Sequence, residues 1–252
     1  MTGGRLTDIC RHPIKGHGRE ALASVLLSAN QCLPFDRHWA VAHEAAKLTD
    51  SADGWNPCVN FARAAKAPQL MAITSELDEA TRTVTLHHPD RGTLAFRPDD
   101  AADLAAFLAW VAPLNPANRA QPATLVTAQR GMTDSDFPSV SILNRASLAD
   151  LSARMGHDLS IHRWRGNLWL DGAEAWDEWT WIGRDIRIGT ATLTIRERIT
   201  RCSATTVEPE TGISNADTLN ALDRHFGHQD FGLYATVTTG GTIAAGDDWS
   251  LI

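Results

Sequence analysis

The recurrence of short strand-like runs, each bounded by turn residues, most restricts how this chain can fold. In the first half these runs are Leu6–Ile14, Ala21–Ser28, Arg37–Glu44, Gln69–Thr74, Arg82–His87 and Thr93–Phe96. Short runs punctuated by glycine and proline are typical of β-barrels and β-sandwiches. The segment Asp99–Val111 instead predicts a helix, because it begins with acidic residues and carries its apolar residues at helical spacing. We therefore expect a mainly β fold with peripheral helices.

The second half repeats this organisation after a proline-containing segment, Asn115–Pro122. The pattern predicts strands at Val140–Leu143, Arg163–Leu170 and Phe231–Val237, and helices at Ala146–Met155 and Thr218–His225. Ser147, close to the start of the first of these helices, is a candidate N-cap. The proline-containing segment predicts a boundary between two domains, residues 1–115 and residues 116–252.

Composition excludes several classes of protein. Of the 252 residues, 43% are hydrophobic and 21% are charged, which argues against disorder, and the net charge of −7 gives no support for nucleic-acid binding. No apolar run approaches the roughly 20 residues of a membrane span, and the N-terminal residues lack the apolar segment of a signal peptide. The 4 cysteines show no zinc-binding spacing. We expect a reduced, cytoplasmic protein without a membrane span.

A reactive cysteine is predicted where a strand runs into a loop. In Ala191–Arg196, Leu193 and Ile195 point to one face, as in a half-buried strand. Cys202 follows close to Arg201, and nearby positive charge favours the thiolate, which is both a nucleophile and a soft metal ligand. The surrounding hydroxyl groups belong to Thr200, Ser203, Thr205 and Thr206. A polar, anionic ligand suits this neighbourhood, and a small buried thiol is the alternative.

The stretch Thr200–Gly212 resembles the cysteine signature of MOSC domains, a family named for the C-terminal domain of molybdenum cofactor sulfurase. Within that family it is most similar to the amidoxime-reducing components and their bacterial counterparts. Further fragments resemble the family in the same order: His12–Gly16, Asp36–Trp39, Ser141–Leu148, Arg163–Asn167, Trp176–Gly183, Phe231–Tyr234 and Gly241–Asp247. The resemblance implies a MOSC N-terminal β-barrel domain followed by a β-barrel-like MOSC domain.

The resemblance also implies a molybdenum cofactor, in which molybdenum is carried by a pterin with a phosphate group. Cys202 would then be the metal ligand, and Cys202, Tyr234 and Asp136 the catalytic candidates, with Asp136 orienting a basic substrate. Gly16 stands where the family usually has serine. The implied cofactor contacts are Lys15, Gly16, Arg37, Asn144, Ser147, Arg165, Asn167, Thr200, Arg201, Cys202, Ser203 and Tyr234.

Several of these residues have ordinary structural alternatives. Lys15 would otherwise be a solvated surface lysine, and Arg37 half of a surface pair with Asp36. Arg165 and Asn167, two residues apart, are predicted to share one face of a strand. Tyr234, the only tyrosine, fits a hydrogen bond near the metal or a half-buried position in a sheet.

The function that this resemblance implies is the reduction of small N-hydroxylated substrates by a molybdenum enzyme. No cysteine follows Cys202 to hold an iron–sulfur cluster, so we expect a separate electron donor: a ferredoxin-like protein, a flavoprotein or a cytochrome. One alternative is a sulfur-carrier or cofactor-handling module with a persulfide on Cys202. A cysteine hydrolase with His225 as base is another. A pyridoxal phosphate site would need a lysine, and Lys15 is the candidate.

Overall fold

The computed structural model describes residues 3–252, and most of its regular structure is β-strand. In chain order the strands are β1 (Gly3–Arg11), β2 (Ile14–Lys15), β3 (Glu20–Leu22), β4 (Ser24–Leu27), β5 (Trp39–His43), β6 (Thr74–Asp78), β7 (Thr83–His88), β8 (Gly92–Phe96), β9 (Pro122–Thr127), β10 (Val140–Asn144), β11 (Leu168–Asp171), β12 (Asp185–Ile188), β13 (Ala191–Thr200), β14 (Asp230–Thr239), β15 (Gly241–Ala244) and β16 (Asp248–Leu251). The α-helices are α1 (Ala101–Val111), α2 (Arg145–Met155) and α3 (Thr218–Phe226). The predicted mainly β fold with peripheral helices is confirmed.

A closed barrel forms the larger part of the fold. Its strands follow the order β11-β10-β14-β13-β12-β16-β1, and β1 pairs back to β11. Leu6 of β1 lies opposite Leu170 of β11, while Gly4 lies opposite Trp249 of β16. Alternating apolar side chains fill the interior, and among them Leu193 and Ile195 are fully buried, as predicted. The first strand therefore completes a barrel whose other strands come from the second half of the chain.

Six further strands build a smaller unit beside the barrel, whereas β3 pairs with β1 and β4 pairs with β15. A three-stranded sheet has the order β2-β5-β9, and a second three-stranded sheet has the order β6-β7-β8. The helix α1 packs its apolar face here, where Phe107 stacks on Phe96 of β8 with ring centroids 4.6 Å apart. Asp100 caps this helix by accepting a hydrogen bond from the Ala102 N–H at 2.9 Å. The predicted domain boundary at residue 115 stays a prediction.

The helices α2 and α3 cover one side of the barrel. Leu151 and Leu222 from the two helices join an apolar cluster with Trp164 and Phe231, whose rings stack with centroids 3.9 Å apart. The cap of α2 is Asn144, which accepts a hydrogen bond from the Ala146 N–H at 2.9 Å. The prediction that Ser147 caps this helix was wrong, since Ser147 lies inside the first turn. None of the helices within residues 3–252 has the length and apolar character that a membrane crossing requires.

Three local predictions were wrong. The segment predicted as a strand at Gln69–Thr74 begins as a 3₁₀ helix, Pro68–Ala72, because Pro68 fits the first turn of a helix. The predicted strand Ala21–Ser28 is divided between β3 and β4, which pair with β1 and β15 respectively. The predicted strand Arg163–Leu170 starts only at Leu168, after a 3₁₀ helix at Ile161–Trp164.

The late start of the strand predicted at Arg163–Leu170 affects two candidate site residues, Arg165 and Asn167. Arg165 has a left-handed backbone, with φ of +47°, so the chain turns sharply there. A Cβ atom at Gly166 would lie 2.0 Å from Leu143 Cδ1, so only glycine allows this close approach to β10. Arg165 and Asn167 therefore do not share a strand face, and their side chains reach different surroundings.

Candidate functional site

A pocket lies where the end of β13 meets the smaller unit. The barrel contributes residues from β10, β13 and β14, while the smaller unit contributes β2 and the loop that contains Cys58 and Arg63. This pocket brings together a large group of the predicted site residues. They are Lys15, Gly16, Arg37, Arg165, Thr200, Arg201, Cys202 and Tyr234.

Cys202 is the exposed thiol of the pocket. It follows β13 directly and precedes a 3₁₀ helix at Ser203–Thr206. Thr200 fixes the strand end, since its hydroxyl donates to Asp230 Oδ1 at 2.7 Å. The hydroxyl of Thr205 donates to the Cys202 carbonyl at 3.1 Å and holds the turn that follows. The side chain of Cys202 is thereby presented to the pocket by a tightly held backbone.

Two of the other three thiols are buried, whereas that of Cys202 is exposed. Cys10 and Cys32 are buried, and burial raises the pKa of Cys10 to about 12 and that of Cys32 to about 11. Both thiols stay protonated at neutral pH and do not line the pocket. Cys58 also lines the pocket, but it is less exposed and its Sγ accepts a hydrogen bond from Arg63 at 3.0 Å, so Cys202 is the thiol best placed for chemistry or metal ligation.

Two half-buried arginines of the pocket wall each carry a buried Nη2 atom without a hydrogen-bond partner. Arg201 donates from Nε to the Phe231 carbonyl at 2.7 Å and from Nη1 to the Trp164 carbonyl at 2.8 Å, but its Nη2 has no partner within residues 3–252. Arg165 donates from Nη1 to the Gly18 carbonyl at 3.0 Å, and its Nη2 also lacks one there. An unpaired buried donor is costly unless a ligand satisfies it.

The same two arginines are electrostatically uncompensated. Burial, followed by repulsion from Arg37, lowers the pKa of Arg165 to about 9. Burial lowers the pKa of Arg201 to about 10, although Tyr234 and Cys202 act in the opposite direction. Both groups remain charged at neutral pH, so the pocket holds positive charge that the protein itself does not neutralise. An anion bound here would offset the free-energy cost of burying these two positive charges.

Lys15 and Gly16 enter the pocket from β2. The Lys15 side chain is only 8% exposed, so it is not a solvated surface lysine. Its ammonium donates to the Met132 carbonyl at 2.6 Å and to Asp134 Oδ1 at 2.5 Å. Gly16 has φ of +74°, and a Cβ atom there would lie 2.8 Å from the Ala62 carbonyl oxygen. The neighbouring loop therefore occupies the space that a serine side chain would need.

Arg37 belongs to a buried ion pair. Its Nη1 donates to Asp36, whose side chain is fully buried, and its Nη2 donates to the Arg165 carbonyl at 2.6 Å. Asp36 also accepts a hydrogen bond from the His12 N–H at 2.8 Å. Burial would raise the pKa of Asp36, but Arg37 and His12 outweigh it and hold the pKa well below its ordinary value. The pair is not a surface pair, and it fixes Arg37 at the pocket wall.

Tyr234 contributes a protonated hydroxyl group to the pocket. It lies on β14, and burial, reinforced by the charge of Asp134, raises its pKa to about 12. A phenol that stays protonated can donate a hydrogen bond to an oxygen atom of a ligand. The ring contacts Phe137 edge-on, with centroids 6.5 Å apart.

Other predicted contacts lie outside the pocket lining. Asn144 and Ser147 donate to the buried carboxylate of Glu178 at 2.8 Å and 2.7 Å. Asn167 accepts from the Ser141 hydroxyl at 2.8 Å and donates to the Cys10 carbonyl at 3.2 Å, so its amide ties β10 to β1. These three side chains are engaged in the interior of the fold.

The two remaining predicted site residues, Ser203 and Asp136, lie at the surface. Ser203 donates to the Ala65 carbonyl at 3.4 Å beside the pocket without lining it. Asp136 is exposed, and its carbonyl accepts a hydrogen bond from Arg130 Nη1 at 2.8 Å. Neither side chain is among those that line the pocket.

The sequence alone did not single out several residues that line the pocket. Arg63 donates to Cys58 Sγ at 3.0 Å, and both residues come from a long loop between β5 and β6. Asp134 lies two residues before the predicted Asp136. The only signal for it was the acidic character of that loop, which did not distinguish the two aspartates. Within residues 3–252, no histidine lines the pocket, and His225 lies instead on the exposed face of α3.

Comparisons with known proteins agree with this arrangement. The family model described as MOSC N-terminal beta barrel domain matches residues 3–120, and the model described as MOSC domain matches residues 130–250. The chain is 30% identical over 146 residues to mitochondrial amidoxime-reducing component 1 of Homo sapiens, which is 53% of this chain and 43% of that protein. It is 38% identical over 78 residues to mitochondrial amidoxime reducing component 2 of Bos taurus, which is 31% of this chain and 23% of that protein.

The matched stretch thus spans less than half the length of these curated relatives. Among solved structures, the YUAD protein from Bacillus subtilis aligns with 99% of this chain and 95% of its own, at 11% identity and a TM-score of 0.47, a likeness too weak to support an argument. The two family models together cover almost the whole chain. The chain belongs to the MOSC domain family.

Proposed function

We propose that this protein is an oxidoreductase that binds a molybdenum cofactor and reduces small N-hydroxylated substrates. One observation carries the proposal. A single pocket combines the exposed thiol of Cys202 with the unpartnered, charged Nη2 atoms of Arg165 and Arg201. The relatives named amidoxime-reducing components support the choice of substrate class.

The pocket residues fit the parts of such a cofactor. A thiolate is a soft ligand suited to a heavy transition metal, and Cys202 is the more exposed of the two thiols that line the pocket. Arg165 and Arg201 would hold the phosphate group, because each offers a buried donor with no other partner and a positive charge with no counter-ion. When bound, the cofactor supplies a metal centre that cycles between oxidation states.

The reaction requires two electrons and two protons for each substrate molecule. The N–O bond breaks, the nitrogen gains one of the protons, and the hydroxyl group takes the other and leaves as water. Tyr234 stays protonated and can donate a hydrogen bond to the departing oxygen. We propose that the electrons come from a separate donor, a ferredoxin-like protein, a flavoprotein or a cytochrome, and that the protein works in the cytoplasm.

The alternative functions have weaker support from the pocket. A cysteine hydrolase would need a base beside Cys202, and within residues 3–252 no histidine lines the pocket. A pyridoxal phosphate enzyme would need a free lysine, whereas the Lys15 ammonium is held by Met132 and Asp134. A persulfide carrier would use the exposed Cys202 but gives no role to two buried, uncompensated arginines.

Elemental analysis tests the proposal directly. Wild type, Cys202→Ala and Cys58→Ala should be purified from a host that makes the cofactor. We expect near-stoichiometric molybdenum in wild type and in Cys58→Ala, the matched control that removes the other pocket thiol and keeps Cys202, and loss of metal in Cys202→Ala. Folded protein without molybdenum in all three would reject the proposal. A persulfide on Cys202 detected by mass spectrometry would then favour the carrier.

A further inference from the structure

Exposed basic side chains gather beside one wall of the pocket. The loop at residues 56–66 contributes one wall of the pocket and lies against residues 47–49, since the Lys47 N–H donates to Asn60 Oδ1 at 2.8 Å. The exposed basic residues of this region are Lys47, Lys66 and Arg119. None of the three makes an ion pair within residues 3–252. This region therefore carries uncompensated positive charge on a chain whose net charge is −7.

The same loop separates the pocket from a second groove. Cys58 lines the pocket, Lys66 lines the groove, and Arg63 lines both. Arg119 adds to the basic lining of the groove, which includes no aspartate or glutamate among residues 3–252. The loop is consequently a ridge between the proposed cofactor site and a basic groove.

The sequence of this region confirms its charge. Its segments are residues 43–49, 56–66 and 115–120, which contain four lysines and arginines and a single acidic residue, Glu44. The Glu44 carboxylate accepts a hydrogen bond from the Gln121 N–H at 3.2 Å. The region is thus basic, whereas the rest of the chain is acidic.

Two exposed apolar side chains lie among these charges. Val59 is 63% exposed and Leu48 is 43% exposed. Each is next in the chain to a residue of the hydrogen bond between Lys47 and Asn60, which places their backbones side by side. A small apolar centre with a charged rim is the organisation of a protein interface. We call the following residues the basic surface: Lys47, Leu48, Val59, Lys66 and Arg119.

We propose that the basic surface docks the electron donor, and that this donor is a small redox protein whose cofactor lies beneath an acidic surface. The inference rests on the proposed function, which requires a donor, and deepens it. Opposite charge steers such a partner towards the surface and fixes its orientation. A donor seated on the ridge lies against the pocket wall that contains Cys58 and Arg63. Electrons then enter across this wall.

The electron balance calls for a donor that leaves quickly. Reduction of one N-hydroxylated substrate takes two electrons and two protons and releases water. A plant-type ferredoxin or a cytochrome gives up one electron, so two reduced donor molecules are oxidised in succession for each substrate molecule. The first must leave before the second docks. An interface with a small apolar centre and a charged rim suits such a transient complex.

The experiment compares Lys66→Glu/Arg119→Glu with wild type, both loaded with molybdenum. The binding probes are a plant-type ferredoxin, a flavodoxin and a soluble b-type cytochrome, all acidic, and a basic cytochrome c. For at least one acidic probe, we expect Kd at low ionic strength to be about 10-fold to 100-fold higher in the variant. Added salt should weaken wild-type binding, because it screens the charges. Lys66→Gln/Arg119→Gln should show a smaller rise in the same direction.

The matched control is Arg187→Glu/Arg224→Glu, which changes the net charge equally. Arg187 on β12 and Arg224 on α3 are exposed, line neither the pocket nor the groove, and form no ion pair in the described part of the chain. Its Kd should change by less than about 3-fold.

A kinetic readout separates docking from damage to the pocket. Reduction of benzamidoxime is driven either by the reduced acidic probe or by dithionite, a small reductant that needs no docking. The ratio of the two rates should fall about 10-fold or more in Lys66→Glu/Arg119→Glu and stay within about 3-fold in the control. An equal loss of both rates would show a structural role for these residues and overturn the inference.

The binding outcomes are equally decisive. An unchanged Kd for all the acidic probes, an equal loss in both charge-reversed variants, or equal binding of the basic cytochrome c would overturn the inference. So would binding of duplex DNA or phosphatidylserine vesicles through Lys66 and Arg119 by a protein that binds no acidic probe. Binding of an acidic probe through these residues, in a folded protein that acquires no molybdenum, would reject the proposed function and leave the docking surface standing. Reduction of benzamidoxime with dithionite, without binding of any acidic probe, would do the reverse.

Discussion

Replacing Arg165 with methionine should stabilise the cofactor-free protein while weakening cofactor retention. The pKa of Arg165 is lowered to about 9 by burial and by repulsion from Arg37, against an ordinary value of about 12.5. Each pKa unit corresponds to about 1.4 kcal/mol, so the charged form costs up to about 5 kcal/mol at neutral pH. Solvent in the pocket reduces this cost. The substitution also removes the hydrogen bond to the Gly18 carbonyl, worth about 1.5–3 kcal/mol.

The balance is a net gain of roughly 1–3 kcal/mol in the free energy of unfolding of Arg165→Met. For a chain of this size that gain corresponds to a rise in Tm of about 3–10 °C. The gain should be present below pH 9 and should shrink as pH rises through that value. In wild type, the folded state releases the Arg165 proton there, while the unfolded chain still holds it.

Thermal unfolding of protein from a host that lacks the cofactor measures the gain in stability. Molybdenum content after purification from a host that makes the cofactor measures the loss of cofactor retention. Arg163→Met is the control, because Arg163 is fully buried but paired with Glu208 and hydrogen-bonded to Asn215. Breaking that pair should destabilise the protein by about 3–5 kcal/mol. Lower stability in Arg165→Met together with unchanged molybdenum content would refute the assignment of Arg165 as an uncompensated anion-binding group.

Three further predictions follow from single residues. Iodoacetamide at pH 8 should modify Cys202 in the cofactor-free protein but spare Cys10, whose pKa burial raises to about 12, and peptide mass spectrometry would show the site. Burial lowers the pKa of His17 to about 4, so the unfolded chain takes up a proton at a higher pH than the folded protein. The free energy of unfolding should therefore fall by about 3 kcal/mol as pH drops from about 6.5 towards 4. In denaturant titrations, His17→Asn should flatten this dependence of stability on pH, and an unchanged dependence would contradict the prediction. Gly16→Ser should cost about 1–3 kcal/mol, because its Cβ atom meets the Ala62 carbonyl and φ is positive, and unchanged denaturant stability would argue that the loop moves freely.

Local sequence pattern predicted the strand that carries the reactive thiol. Leu193 and Ile195 alternate with polar residues, and the structure buries both in the barrel. The placement of Cys202 at the strand end followed from Pro209 and Gly212, which predict a turn beyond it. These features depend on neighbouring residues, which is why the sequence was sufficient for them.

Predictions failed where distant segments decide the conformation. Arg165 looks like a strand residue, yet it has a left-handed backbone, and the next residue, Gly166, packs closely against Leu143, more than twenty positions away in the chain. Asp134 lies in the loop between β9 and β10 and gains its place from Lys15 of β2, which is 119 positions earlier in the chain. Neither contact leaves a local signature, so hydrophobic periodicity could not find them.

The closure of the barrel by β1 has a consequence for biosynthesis. This strand is made before all the others, but its partners β11 and β16 are translated some 160 to 240 positions later. As the chain leaves the ribosome, only the end of β1 can pair early, with β3, and the rest of its edges must wait unpaired. Such edges invite pairing with other chains. The barrel can close only after its last strand has left the ribosome, so its folding depends on contacts of very high sequence separation. Slow synthesis would prolong the interval in which the unpaired strand can pair with other chains. Chaperones that cover extended apolar segments would reduce such mispairing.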